Sequence, residues 1–501
     1  MVRDLEKNHI PYGVWFFIWG CSVKVTVIGA GVVGSLIARE LSRYDLELSI
    51  IEQNLDVGWA ATKANSAILH AGYDDPPNSV RSKFCSKGNS MYTRLSEELD
   101  FEIKRTGSYV AAFNNEELRT LKKLLKQGRI NNVPDLEIHE RETLIQREPE
   151  LNPDIQYGLW APTAGITEPW EIAIAAVENA VANGAKIILG EKVIGFEKQR
   201  SKITKIITQK GVYKTDLVVN AGGIFADDIA QLAGAEYVSL YPRRGEYIVL
   251  DRKPGFTVKT VIFPSPTAVS KGILVVPTVN GEILLGPTAV DLSSDMKNST
   301  RTTKEGLNRV MRSAKFLVSS LDFSRVIKTF SGLRPESPQK DFFIGVSKRV
   351  PNFINVMAMR SPGLTAAPAV AEHVVEKIIQ QKLKFKLSKK RDFNPKRSRI
   401  KRFAELPPEQ WREAVRKDPA AGRLVCYCNK VTEAEIVEAI RRGARTLDGV
   451  KFRTRAMFGR CQGGFCSISI MKILKRELGI DMSRLRMKSQ NSWIVSRKVR
   501  E

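Results

Sequence analysis

The hydrophobic pattern of the chain begins at residues 23–53, VKVTVIGAGVVGSLIARELSRYDLELSIIEQ, as an apolar run, a glycine turn, a stretch with helical spacing and a second apolar run. Short apolar runs bounded by glycine read as buried strands, and the 3.6-residue spacing between them reads as a helix, so this segment predicts a βαβ unit. A helix is expected over 171–183 and strands over 186–189 and near 193–197. DLVVNAGGIFADDIAQLAG then repeats the order strand, glycine turn, helix. KGILVVPTVNGEILLGPTA predicts a hairpin over Asn280–Gly281. NFINVMAMRSPGLTAAPAVAEHVVEKII is a third strand, loop and helix.

The first unit carries a dinucleotide-binding pattern. Gly29 makes the tight turn, Gly31 lets a pyrophosphate approach the backbone, and Gly34 lets helix and strand pack closely. Glu52 ends the second strand, where a carboxylate accepts hydrogen bonds from a ribose diol. The glycine turns at Gly222, Gly223 and Gly363 imply that the chain re-enters the same nucleotide fold twice. A stretched dinucleotide touched from several separated strand ends favours FAD over NAD. The expected fold is a Rossmann-like α/β FAD-binding domain over 23–379 with an interleaved α+β substrate domain, mainly about 75–150 and 237–330.

Length and charge complete the layout. A chain of 501 residues calls for more than one domain, and 43% hydrophobic with 27% charged residues excludes wholesale disorder. The net charge of +25 belongs mostly to the tail, because residues 381–501 hold 32 Lys/Arg against 12 Asp/Glu. Within it, 380–402 reads as a basic linker, 403–490 as a small helical domain and 491–501 as a tail. A basic tail suits nucleic acid, an anionic membrane or an acidic partner. Aromatic residues are sparse in 381–402, with only Phe385 and Phe393, and no RNA-module motif is present, which argues against an RNA-acting flavoprotein. Residues 1–22 read as an extension whose apolar patch is shorter than the roughly 20 residues of a membrane span. A cytoplasmic protein is expected, with peripheral association at the inner face of the cell membrane as a lesser alternative.

Four of the six cysteines cluster as CYC at Cys426 and Cys428 and CQGGFC at Cys461 and Cys466. Four thiolates suit a tetrahedral zinc or a two-iron, two-sulfur cluster. Zinc knuckles commonly separate paired cysteines by two to four residues. The single residue between Cys426 and Cys428, and a redox domain upstream, favour the cluster.

The segment from Gly422 to Cys466 resembles the bacterioferritin-associated-ferredoxin-like domain that ends the large subunit of anaerobic-type glycerol-3-phosphate dehydrogenases, which carries a [2Fe-2S] cluster. The N-terminal block resembles the D-amino-acid-oxidase-like superfamily of FAD enzymes, and NSAILHAGYDDPPNSVRSKFC is similar to the matching stretch of L-2-hydroxyglutarate dehydrogenases. The resemblance implies FAD contacts from Gly29, Gly31, Gly34, Glu52, Asn65, Ser66, Gly222, Gly223, Gly363, Leu364 and Thr365. It places a substrate-binding arginine at Arg334, in SGLRP, and brings Arg244 and Tyr247 toward the site. The plain alternative for Arg334 is an internal salt bridge, and for Arg244 and Tyr247 an exposed strand edge. His70 is the one histidine in a flavin-proximal motif, with three roles open to it, base, hydrogen-bond partner of the flavin or covalent attachment point; the plain alternative is a hydrogen-bonded structural histidine. The chain departs from aerobic-type relatives near Asp74, where an Arg-Tyr pair stands in those enzymes, and at Gly363, where they have lysine. Lys271 and Arg360 are the candidate substitutes. The implied activity is oxidation of a small anionic alcohol, sn-glycerol 3-phosphate first and a 2-hydroxy acid such as L-2-hydroxyglutarate second. A second flavoprotein or a quinone-linked subunit is the implied electron acceptor.

Overall fold

The computed structural model describes residues 22–266 and 272–496. The extension before residue 22 and Lys271 lie outside the described residues. The predicted βαβ unit is present as strand Lys24–Ile28, helix Val32–Leu41 and strand Glu47–Glu52. These strands sit in a six-stranded sheet whose order is Phe343–Val346, Phe353–Met357, Leu217–Asn220, Lys24–Ile28, Glu47–Glu52, Lys186–Leu189. All neighbours pair in parallel except the edge strand Phe343–Val346. The strands therefore come from four separated parts of the chain, as the recurring glycine turns imply. Both faces of such a parallel sheet are covered. Helices Val32–Leu41, Pro169–Ala182 and Gly363–Glu372 contribute to the core on one side, with Leu36, Ile37, Ile172 and Val370 buried against Val25, Val27 and Ile50.

The substrate domain is built on a nine-stranded mixed sheet. It extends further than the sequence pattern implied, taking in Tyr157–Ala161 and the whole of Val326–Glu336. The hairpin over Asn280–Gly281 joins the antiparallel strands Leu274–Pro277 and Ile283–Gly286. Strand Tyr241–Leu250 pairs with Val326–Glu336 along most of its length.

The basic segment after residue 380 is strapped to the flavin domain rather than free. Arg397 Nε donates to Glu178 Oε2 at 2.7 Å, and the Asn179 and Asn183 side chains donate to the Asn394 carbonyl. The final domain holds the two helices read from the sequence, Glu433–Arg441 and Ser467–Leu478, and adds Pro408–Lys417 and Leu447–Thr454. Its core gathers Val425, Ile436, Ile440, Leu447, Val450, Ile470 and Leu474. Among the described residues no helix is long and apolar enough to cross a membrane.

Candidate active site and cluster site

A cavity of about 810 Å3 extends from the first glycine turn to the substrate sheet, with Gly29, Gly31, Glu52, Asn65, Gly222 and Gly223 on its wall. Gly29 has φ of +99°, and a Cβ there would stand 2.5 Å from the Ala221 carbonyl oxygen, so only glycine lets the two strand-end turns approach this closely. A Cβ on Gly34 would meet the Gly29 carbonyl at 2.0 Å, which is the close helix–strand packing expected of the third glycine. Gly31 precedes Val32–Leu41 without a side chain, and Val32 N donates to Thr62 Oγ1 at 3.0 Å, so a hydroxyl and the glycine turn together stand at the helix N-terminus where a phosphate would approach. Glu52 is buried at the strand end, where it accepts from Ala30 N at 2.8 Å and from Asn54 N at 2.8 Å. Burial pushes its carboxyl up, while these N–H donors pull the other way. These features fit FAD: a glycine-lined helix terminus with the Thr62 hydroxyl for the diphosphate, an acceptor for the ribose and a long channel for the flavin.

The remaining expected cofactor residues serve the walls indirectly. Ser66 Oγ lies 3.3 Å from the Tyr247 hydroxyl, joining the flavin-proximal segment to the substrate sheet. Thr365 Oγ1 accepts from His70 N at 2.9 Å, and the Leu364 carbonyl accepts from Tyr92 Oη at 2.6 Å. Gly363 begins the helix that brings Thr365 to His70.

Strand alternation sorts the substrate-side candidates. Tyr247, Gly245 and Arg243 point to one face of their strand, and their cross-strand partners Phe330, Gly332 and Arg334 share it. Tyr247 stacks on Phe330, and a Cβ on Gly245 would stand 2.7 Å from Arg334 Nη2. Arg334 donates to the Thr288 carbonyl at 2.6 Å, so it is anchored by a backbone oxygen rather than consumed by a salt bridge. Arg244 lies on the opposite face with Glu246, 3.9 Å away, against the helix Lys304–Leu317. The structure therefore does not bring Arg244 together with Arg334 and Tyr247; its neighbour Arg243 holds that place. Arg360, the candidate substitute, has Nε 3.0 Å from Glu336 Oε1, and Arg243 is 4.0 Å from the same oxygen. Arg81, Arg243 and Arg334 all press on Arg360, whose guanidinium burial already holds below the ordinary range. One fully buried carboxylate thus faces a concentration of guanidinium groups.

His70 is half-buried, with Nε2 3.2 Å from Ser361 Oγ. Its carbonyl accepts from Asn89 Nδ2 at 2.9 Å, so both backbone groups are tied down and the ring is oriented. Ser361 is a site residue that the sequence pattern did not single out, although it lies two residues before Gly363 in a recognised strand–loop–helix.

In the last domain the four cysteines form two pairs. Cys428 and Cys461 sulfurs lie 3.7 Å apart, and Cys426 shares a hydrogen bond with Cys466. Among the described residues no three His, Cys, Asp or Glu converge on one point as ligands of a single ion. Two thiol pairs match a two-iron cluster, which takes two cysteines per iron. The bond from Cys466 holds Cys426 down at about 6, and the N–H groups of Phe465 and Gly463 lower Cys461. Their partners Cys466 and Cys428 are raised, so in each pair one thiol is held toward thiolate, the form that binds iron, and the other donates to it.

Glycine-lined cavity and paired thiols together define a flavin and iron–sulfur oxidoreductase. Residues 24–377 match the model of the FAD dependent oxidoreductases (DAO), and 424–476 match the BFD-like [2Fe-2S] binding domain. The chain belongs to the DAO family of FAD-dependent oxidoreductases. It is 44% identical to glycerol 3-phosphate dehydrogenase of Caloramator mitchellensis over 94% of this chain and 98% of that one. It is 31% identical to glycerol 3-phosphate oxidase of Mycoplasma genitalium over 75% of this chain and 98% of the other. The FAD-bound L-alpha-glycerophosphate oxidase of Mycoplasma pneumoniae superposes with a TM-score of 0.70 at 29% identity, over 75% of this chain and 98% of that one. The protein is an enzyme acting on a CH–OH donor, with FAD and a [2Fe-2S] cluster as its cofactors.

Proposed function

We propose that the enzyme oxidises the secondary alcohol of sn-glycerol 3-phosphate to dihydroxyacetone phosphate and delivers the electrons through its cluster to a separate acceptor. The observation that carries the substrate reading is Arg334: its neighbours Arg243 and Arg360 are paired with Asp291 and Glu336, whereas Arg334 is anchored on the Thr288 carbonyl and keeps its charge for an anion such as a phosphate. His70 Nε2, partnered by Ser361 Oγ, takes the hydroxyl proton as hydride leaves the carbinol carbon and the carbonyl forms. Tyr247 and Ser66 hold the flavin-proximal segment against the substrate strand, fixing the distance over which hydride moves. When bound, FAD supplies the two-electron acceptor and the cluster a one-electron relay.

Direct use of oxygen would not require a fused cluster, so the cluster supports a protein or quinone-linked acceptor. Cys428 is exposed, and Tyr427, Phe465 and Ile468 beside the thiols are 73%, 84% and 64% exposed. Apolar side chains this open support contact with a partner. The basic excess of residues 381–501 supports an acidic surface on that partner, a second flavoprotein or a quinone-linked subunit at a membrane.

Anaerobic reduction of a redox dye by glycerol 3-phosphate and by L-2-hydroxyglutarate tests the reading. A higher kcat/KM for glycerol 3-phosphate is expected; a higher value for the hydroxy acid would transfer the assignment to it.

A further inference from the structure

The flavin cavity is not closed by the flavin domain alone. Phe452, Arg455, Phe458 and Gln462, all from the iron–sulfur domain, stand on its wall beside Trp59 and Trp170. Gln462 directly follows the ligand Cys461, so the cluster loop itself borders the cavity. The seam is highly specified. Arg455 donates to Glu168 and lies 3.3 Å from Glu282, with all three side chains buried. Phe458 stacks on Trp170 at 5.5 Å, Phe452 meets Trp170 edge-on at 5.3 Å, and the Arg455 guanidinium lies 5.0 Å from the Phe458 ring centre. Beyond the cavity rim, Arg453 grips both oxygens of Asp56 in a buried bidentate pair.

Moving the domain away would break the Arg455 and Arg453 ion pairs and return the packed Phe452, Phe458 and Trp170 rings to water, which is unfavourable. A domain that swings between flavin and partner would not be built on such a seam. We propose that the iron–sulfur domain is a fixed part of the FAD site, its segment 452–462 forming the wall that covers the cofactor and retains it in the protein. The inference rests on FAD as the occupant of this cavity. It gives the domain a binding duty separate from electron relay and puts the cluster loop against the cofactor without any domain movement.

The test uses the full-length holoenzyme and measures FAD release, by the rise of free-flavin fluorescence after dilution, for the unmutated protein, Phe458→Ala, Arg455→Met and Trp411→Ala. Trp411 lies on Pro408–Lys417 and is not on the cavity wall. Truncating a half-buried aromatic anchor should speed release roughly tenfold or more in Phe458→Ala, with iron and acid-labile sulfide unchanged and Trp411→Ala behaving like the parent. If Arg455→Met yields no folded protein, Phe458→Ala alone decides. Parental release from Phe458→Ala with its cluster intact would overturn the inference. An unmutated protein purified without FAD, and unable to take it up, would instead overturn the cofactor reading beneath it.

Discussion

Ser361 Oγ lies 3.2 Å from His70 Nε2, linking the loop before the third nucleotide-fold helix to the flavin-proximal segment. Two residues 291 positions apart are thus joined where the proposed reaction sends the alcohol proton. Replacing His70 by Gln should slow flavin reduction by roughly 100- to 10,000-fold, the usual worth of a positioned proton acceptor, with FAD content retained. Ser361→Ala, which frees the ring without removing it, should cost less. Stopped-flow bleaching of the flavin under anaerobic conditions reads both. Equal, near-parental rates in the two variants would remove His70 from the chemistry.

Arg334 and Arg244 offer a paired contrast. A charge-assisted contact to an anion is worth about 2–4 kcal/mol in the transition state, or roughly 30- to 1000-fold in kcat/KM. Arg334→Ala should lose that factor while binding FAD normally, and Arg334→Lys should recover little because ammonium lacks the planar fork. Arg244→Ala should lower the melting temperature, since it bares the buried Glu246, and leave KM close to parental. A reversed outcome would mean that the strand presents its other face to substrate.

Cys461→Ser should abolish the cluster and leave flavin reduction by substrate largely intact, because the residues proposed for hydride transfer belong to another domain. Transfer to the physiological acceptor should fail. Iron and sulfide content with stopped-flow rates check this, and a matching loss of flavin reduction would show that the two steps are not separable.

Lys63 gives a pH dependence. Burial is the chief cause that brings it from 10.5 to about 7, with Lys328 and Lys488 pushing the same way and Asp448, 3.6 Å away, opposing them. Its ammonium also lies over the Trp59 ring and near that of Phe452. Between about pH 7 and 10 the unfolded chain holds a proton that the folded one does not, so this residue makes stability rise with pH across that window. Denaturant unfolding at pH 7 and pH 9 should show a smaller rise in Lys63→Met than in the parent. Identical rises would mean that Lys63 titrates normally in the folded protein.

The sequence made the cofactor machinery legible because its constraints are local. A glycine turn, a strand-end acid and paired cysteines each occupy a few consecutive residues, so Gly29, Glu52 and Cys461 could be read directly. The choice between Arg243 and Arg244 could not be read this way. Both sides of YPRRGEYIVL carry apolar residues, so the alternation that usually fixes which face is buried has no clear phase, and a one-residue error exchanges the faces. Ser361 carried no distinguishing neighbour. The seam between domains was invisible because its contacts join residues far apart, Arg455 to Glu168 being 287 positions in sequence.

Rapid mixing of the anaerobic holoenzyme with glycerol 3-phosphate, followed by absorbance of the flavin and by freeze-quench electron paramagnetic resonance of the cluster, tests the central claim. Flavin bleaching should come first, and the signal of the reduced cluster should grow afterwards within the same turnover, without added carrier. A flavin that bleaches while the cluster stays oxidised, or a flavin that glycerol 3-phosphate leaves oxidised, would contradict the account.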